Sequence, residues 1–227
     1  MRIIRHRTPL RFRQRSYYAV PLIVFINTII YLFWTTAIYT RSIKWVSFLN
    51  KYFLISADRL HQGNYWPLLA SVFSHNWFLH FLINMLVLLS FGGIVERALG
   101  SLRFILFYLL AGIVSSVSHA LTSEYFLGNP HIPALGASGA IAGVVLLFSL
   151  MFPTNLILIF GLIPVPAIVG ALAFVGIDIW GLVAQTQGGG LPIGHGAHLG
   201  GAFAGVLYYF FYYKKRRWKG RYFPDPF

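Results

Sequence analysis

Residues 136–153 read GASGAIAGVVLLFSLMFP, an apolar run with Ser138 at its start and Pro153 at its end. Two further strings have the same character, Ala197-His198-Leu199-Gly200-Gly201 and His80-Phe81-Leu82-Ile83-Asn84. Each sets a reactive or hydrogen-bonding side chain inside a hydrophobic segment, where a helix that only faces lipid has no use for one.

The composition around these strings names their solvent. With 57% hydrophobic residues, 10% charged residues and a mean hydropathy of +0.68, the chain has too little polar surface for a soluble globule. The 227 residues accommodate about six or seven helices of ~20 residues and little else. There is no cysteine, so thiolate chemistry and disulfides are excluded. The net charge of +13 sits mainly at the ends, with six arginines in residues 1–15 and six Lys/Arg in residues 214–221. Basic flanks on apolar spans orient a membrane protein, so both termini are expected in the cytoplasm and the number of crossings is expected to be even. Contact with anionic lipid headgroups is expected of these tails, and nucleic acid is not expected as a partner. No small-residue cleavage site follows a short apolar core, so the N-terminal tail does not read as a removable signal peptide.

The spans follow from apolar runs and their breakers. The first is expected over about 17–39, with Pro21 tolerated near its start. Residues 40–76 mix charges with aromatics and read as an external, interfacial loop with short amphipathic helices. The second span is expected over about 77–95, ending at Glu96-Arg97, and the third over about 104–123. Arg97 and Arg103 mark the turn between them as cytoplasmic. The fourth runs from about Ala137 to Pro153. The stretch 154–185 is too long for one crossing of a ~30 Å core, and Pro164 and Pro166 divide it into an apolar cytoplasmic-side loop and a fifth span over about 167–184. A sixth span over about 196–213 ends at Lys214-Lys215-Arg216-Arg217. The expectation is an all-α polytopic membrane protein with six transmembrane helices. Its parts are a basic cytoplasmic tail (1–16), a membrane domain (17–213) and a second basic cytoplasmic tail (214–227).

Depth arithmetic brings the polar residues together. At 1.5 Å per residue, Ser138 stands about 22 Å above Pro153 and His198 about 24 Å above Lys214, with His80 and Asn84 about 26 and 20 Å above Arg97. All four reach one level, roughly 4 to 10 Å below the outer edge of a ~30 Å hydrocarbon core. His80 and Asn84 share a helix face, as do His198, Gly201 and Gly205. Gly139 with Gly143, and Gly201 with Gly205, are small-xxx-small patterns that let the fourth and sixth spans approach until Ser138 and His198 can hydrogen-bond.

These motifs resemble those of the rhomboid intramembrane serine proteases. The similarity runs from about Tyr17 to Tyr213. It rests on Gly136-Ala137-Ser138-Gly139, on Ala197-His198-Leu199-Gly200-Gly201 continuing to Gly205, on His80 with Asn84, and on Gly92-Gly93, Glu96-Arg97 and Gly100. The resemblance implies a serine endopeptidase that cuts transmembrane segments of other membrane proteins without cofactor or metal. Ser138 would be the nucleophile and His198 the general base and acid, in a dyad with no matching third carboxylate. The Ser138 N–H with the side chains of Asn84 and His80 would form the oxyanion hole, while Gly136, Gly139, Gly143, Gly201 and Gly205 would pack the helices around it.

Two positions depart from the family pattern. Pro67 stands after Trp66 where an arginine is common, and Ala142 stands where some members place an aromatic ring against the catalytic histidine. His75 fits a loop position that is often histidine, in an orienting role. The bland readings are a packing serine, His195 as a residue at the start of the sixth span, and Asp178 as the holder of a structural hydrogen bond or a water in span five. A metal on the His195–His198 pair would need a third ligand, in a chain with only five acids. Span five, with Gly170, Gly176 and Gly181, reads as the mobile element past which a substrate enters. The competing class is a catalytically inactive rhomboid-like binder of membrane proteins, which would lack the serine or histidine; a transporter ranks behind it. The compact six-span form suggests the cell membrane of a prokaryote.

Overall fold

The computed structural model describes residues 17–159 and 161–214; the expected tails, 1–16 and 215–227, lie outside the described residues. The chain is mostly helical. In order come α1 (Ala19–Tyr39), α2 (Ile43–Phe53), α3 (Ala57–His61), α4 (Pro67–Ala70), α5 (Phe78–Val87), α6 (Gly93–Leu99), α7 (Ser101–Leu121), α8 (Ser138–Met151), β1 (Leu156–Ile159), β2 (Ile163–Pro166), α9 (Ala167–Thr186) and α10 (His195–Tyr208). Wide, π-type turns over Leu88–Gly92, Thr122–Phe126 and Tyr209–Tyr213 join α5 to α6 and extend α7 and α10.

Among the described residues, four helices are long and apolar enough to cross a membrane: Ala19–Tyr39, Phe78–Leu99, Ser101–Phe126 and Ala167–Thr186. The chain is therefore a multi-pass membrane protein, with outward-facing Leu22, Phe25, Leu86, Leu106, Leu172 and Trp180 offered to lipid. α8 is shorter, at 14 residues, and lies at the centre instead, where most of its side chains are buried. α7, α8 and α10 pack against one another around Leu88, Val95, Phe104, Phe107, Tyr108, Ala111, Val144 and Leu147.

Glu96 shows why polar residues survive in this interior. Its buried carboxylate accepts the Ala19 and Val20 N–H groups at 2.7 and 3.0 Å and the Ser101 hydroxyl at 2.5 Å. An anion thereby occupies the N-terminus of α1, where free N–H groups and the helix dipole favour it. The start of α1 and the α6–α7 turn are fastened at the same end of the molecule.

The short helices expected between 40 and 76 are α2 to α4. Ser42 caps α2 by accepting the Trp45 N–H at 3.4 Å, and Leu49 of α2 is buried beside Trp34 and Ala37 of α1. The expectation of an all-α chain needs one correction. Residues 154–166 are not a plain loop: β1 and β2 pair antiparallel, with Leu156 opposite Pro166 and Ile159 opposite Ile163. The β-branched and apolar residues here suit a ribbon, and Gly161 supplies a turn conformation at φ 72° that other residues resist. Periodicity alone does not separate a four-residue strand from an apolar loop.

Candidate active site

The site is organised by backbones that touch. A Cβ added to Gly201 would lie 1.8 Å from the Gly139 carbonyl oxygen, and one added to Gly205 would lie 2.5 Å from that of Gly143. One at Gly143 would come within 2.8 Å of the Gly201 oxygen, and one at Gly139 within 1.7 Å of Ser115 Oγ. No side chain fits between α8 and α10 along this seam. Gly136 lies outside this seam. It precedes α8 at φ 126°, and a Cβ there would meet the His80 ring at 2.6 Å.

The seam carries Ser138 in the first turn of α8 and His198 in the first turn of α10. Ser138 Oγ and His198 Nε2 are 2.9 Å apart although 60 residues separate them in sequence. No side chain caps the N-terminus of α8, so its first N–H groups remain available to an anion. His80 lies beside the Gly136 turn. Asn84 is buried one turn further along α5, its Nδ2 donating to the His80 carbonyl at 2.8 Å. One of its two amide hydrogens is engaged there.

The segment leading to Ser138 is tied down at several points. Ile55 and Ala134 exchange backbone hydrogen bonds of 2.9 and 2.8 Å, the Gly136 N–H donates to the Ser71 carbonyl at 2.9 Å, and a His119 ring nitrogen lies 3.0 Å from the Ile132 carbonyl. His75 is fully buried, and its Nε2 accepts the Ala137 N–H at 3.4 Å. Burial, reinforced by the nearby His80, pushes the His75 imidazole down to about 3, so it stays neutral and keeps its accepting lone pair at Ala137.

The remaining wall comes from α9. Asp178 is buried, and its Oδ1 lies 2.7 Å from His195 Nδ1 and 3.0 Å from His198 Nδ1. The Phe174 ring lies 5.7 Å from that of His198, tilted by 31°. The aromatic partner missing at Ala142 is thus supplied from another helix. His195 and His198, weighed as a metal pair, converge on one carboxylate. Gln185 Nε2 donates to the Leu191 and Ile193 carbonyls at 2.7 and 2.8 Å, which fixes the connection from α9 into α10. The sequence singled out Asp178 as the holder of a structural hydrogen bond or a water, not as a partner of His198, and it did not single out Phe174. Their i, i+4 spacing on a helix otherwise facing lipid was the available signal.

Comparison with known proteins gives a consistent result. The family model of the Rhomboid domain matches residues 62–215. Rhomboid protein 1, mitochondrial, of Saccharomyces cerevisiae is 36% identical over 169 residues, 71% of this chain and 45% of that protein. Presenilin-associated rhomboid-like protein A, mitochondrial, of Danio rerio is 33% identical over 193 residues, 82% of this chain and 45% of its own length. The putative rhomboid protease YdcA of Bacillus subtilis is 31% identical over 145 residues, 63% of this chain and 68% of the relative. The chain spans about half the length of the yeast and zebrafish relatives.

Proposed function

The chain belongs to the rhomboid family, and from that premise we propose that it is an intramembrane serine endopeptidase cutting transmembrane segments of other membrane proteins. The observation that carries this reading is the 2.9 Å contact between Ser138 Oγ and His198 Nε2 at the head of a glycine seam. Six crossings complete the arrangement, α8 and α10 being the two short inner ones, with both termini on the Glu96–Arg97 side.

Ser138 Oγ attacks the scissile carbonyl carbon while His198 Nε2 takes its proton. The carbonyl oxygen becomes an oxyanion at the N-terminus of α8, facing the Ser138 N–H, the Asn84 amide and His80. Each such donor is worth roughly 2.7 to 4 kcal/mol in the transition state. The C–N bond then breaks, and His198 returns the proton to the leaving amine. A water attacks the acyl-enzyme, giving its proton to His198, and the acid product leaves as Ser138 regains its hydrogen.

Access past α9 fits its sparse burial, which involves only Ala167, Ala171, Asp178 and Gly181. A cross-link between α5 and α9 that leaves cleavage intact refutes that route. Relatives with both mitochondrial and Bacillus subtilis names match this chain; we place the protein in a cell membrane, with lipids and transmembrane substrates as its partners. The test compares wild type with Ser138→Ala and His198→Ala in liposomes, using a single-span substrate and fluorophosphonate labelling. Loss of both readouts in both variants, with folding unchanged, supports the reading. A wild type that is silent in both is the outcome expected of an inactive rhomboid-like binder.

A further inference from the structure

We propose that Asp178 is the positioning residue of this site, fixing through His198 Nδ1 the ring state and orientation that let Nε2 accept the Ser138 proton, with His195 as its brace. The inference rests on the serine-protease reading above and extends it from two residues to four.

The argument begins with hydrogen-bond inventory. An ionised carboxylate only accepts, and the Nδ1 atoms of His195 and His198 both face the same Asp178 oxygen, at 2.7 and 3.0 Å. Both rings therefore carry their hydrogen on Nδ1. For neutral His198 this leaves a lone pair on Nε2, where the Ser138 hydroxyl lies 2.9 Å away and donates. The base is held in the one tautomer that can act. When Nε2 gains the serine proton, the resulting cation already faces an anion.

A purely structural aspartate would be an expensive choice here. A charge inside a membrane helix is costly, and Oδ2 of this one is buried without a hydrogen-bond partner among the described residues. The arrangement concentrates on a single oxygen aimed at the two rings. His195 is buried, and its ring fills the space that Gly181 leaves open: a Cβ there would come within 2.3 Å of His195 Nε2. Gly181 lies three residues beyond Asp178, so one stretch of α9 seats the brace and presents the carboxylate. Phe174, one turn before Asp178, closes on His198 from the same helix.

The experiment uses the full chain in bilayers. In the wild type, nitrogen NMR of labelled histidine, assigned with His198→Gln, is expected to show a protonated Nδ1 and an unprotonated Nε2 at His198. The reverse pattern overturns the proposal without requiring any variant to be active or any substrate to be known. Asp178→Asn keeps the shape but can offer an N–H to Nδ1, which turns the ring to the wrong tautomer. Its kcat is expected to fall by about 10³- to 10⁴-fold, with KM within threefold and a shifted His198 signal. His195→Phe, which retains ring bulk, is expected to lower kcat about tenfold while Asp178 stays in place. A folded Asp178→Asn with wild-type kcat and an unchanged His198 signal overturns the positioning role. A wild type that shows the expected tautomer but neither cleaves nor labels counts against the protease reading alone.

Discussion

The α8–α10 seam and α9 contribute to the same site in opposite ways. Along the seam, Gly139, Gly143, Gly201 and Gly205 bring backbone against backbone, and nothing can slide between them. α9 lays Ile177, Ile179, Trp180 and Val183 out to lipid and holds the rest through a few small residues and the Asp178 cluster. The proposed nucleophile and base therefore ride on the most closely packed part of the molecule, while the carboxylate and aromatic ring proposed to orient the base ride on one of the least anchored. A site built this way keeps its reacting atoms in register even when its outer wall shifts, and loses only their fine alignment.

The sharpest way to break this contrast is Gly201→Ala. The new Cβ meets a backbone oxygen at 1.8 Å, which cannot turn aside. Separation of the helices by about 1 Å is expected to cut fluorophosphonate labelling of Ser138 by about 10²-fold. It is also expected to cost about 1–3 kcal/mol in an SDS unfolding titration. Labelling near the wild-type rate would mean that the seam is not what holds Ser138 against His198.

His75, whose Nε2 accepts the Ala137 N–H at the head of the seam, responds to acid. Folded His75 stays neutral down to about 3, whereas the unfolded chain takes up its proton near the ordinary value of 6.5. Between those values the unfolded state binds more protons, so stability falls as pH falls. The His75 share of that loss is about 2 kcal/mol at pH 5 relative to neutral pH. Unfolding midpoints at pH 7 and pH 5 should therefore differ less in His75→Asn than in wild type; equal differences refute this assignment.

On α9 the effects should be smaller. Gly181→Ala pushes on the His195 ring, a side chain with some freedom to shift, and is expected to cost about tenfold in kcat, or about 1.4 kcal/mol in the barrier. An unaltered kcat would show that His195 does not hold α9 against α10. Gly176→Ala has nothing within 4 Å to meet. It is expected to stabilise the helix by about 0.5–1 kcal/mol and leave cleavage unchanged. A fall in cleavage there, with labelling intact, would assign the lipid face of α9 a part in admitting substrate.

What could be read in advance follows the same division. The long apolar helices are visible as long apolar runs, and the small-xxx-small spacing lies on the two helices whose glycines meet backbone to backbone. Asp178 was visible only as an ionisable residue in an apolar helix. Its partners lie 17 and 20 residues away across a glycine-rich connection, and no helical period predicts how such a connection folds back. Ala142 pointed to a missing aromatic but could not say that Phe174 replaces it. The helices run past their expected limits, to Leu99, Phe126 and Thr186, and each is followed within two residues by a glycine at positive φ, Gly100, Gly128 and Gly188, rather than ended by the charged residues.

The shortness of α8 has a consequence for supply. In the protease proposed above, hydrolysis would consume one water for every bond cut, and a 14-residue helix of about 21 Å would leave roughly 9 Å of a ~30 Å core to be bridged above its first residue. That shaft would have to be wet for the proposed acyl-enzyme to turn over. Its depth is set by the host lipid as well as by the chain, since a bilayer thins to meet a short apolar element at a modest cost per ångström. Acyl chain length would thereby become a throttle on the second half of the proposed reaction, making the membrane itself a component of the rate.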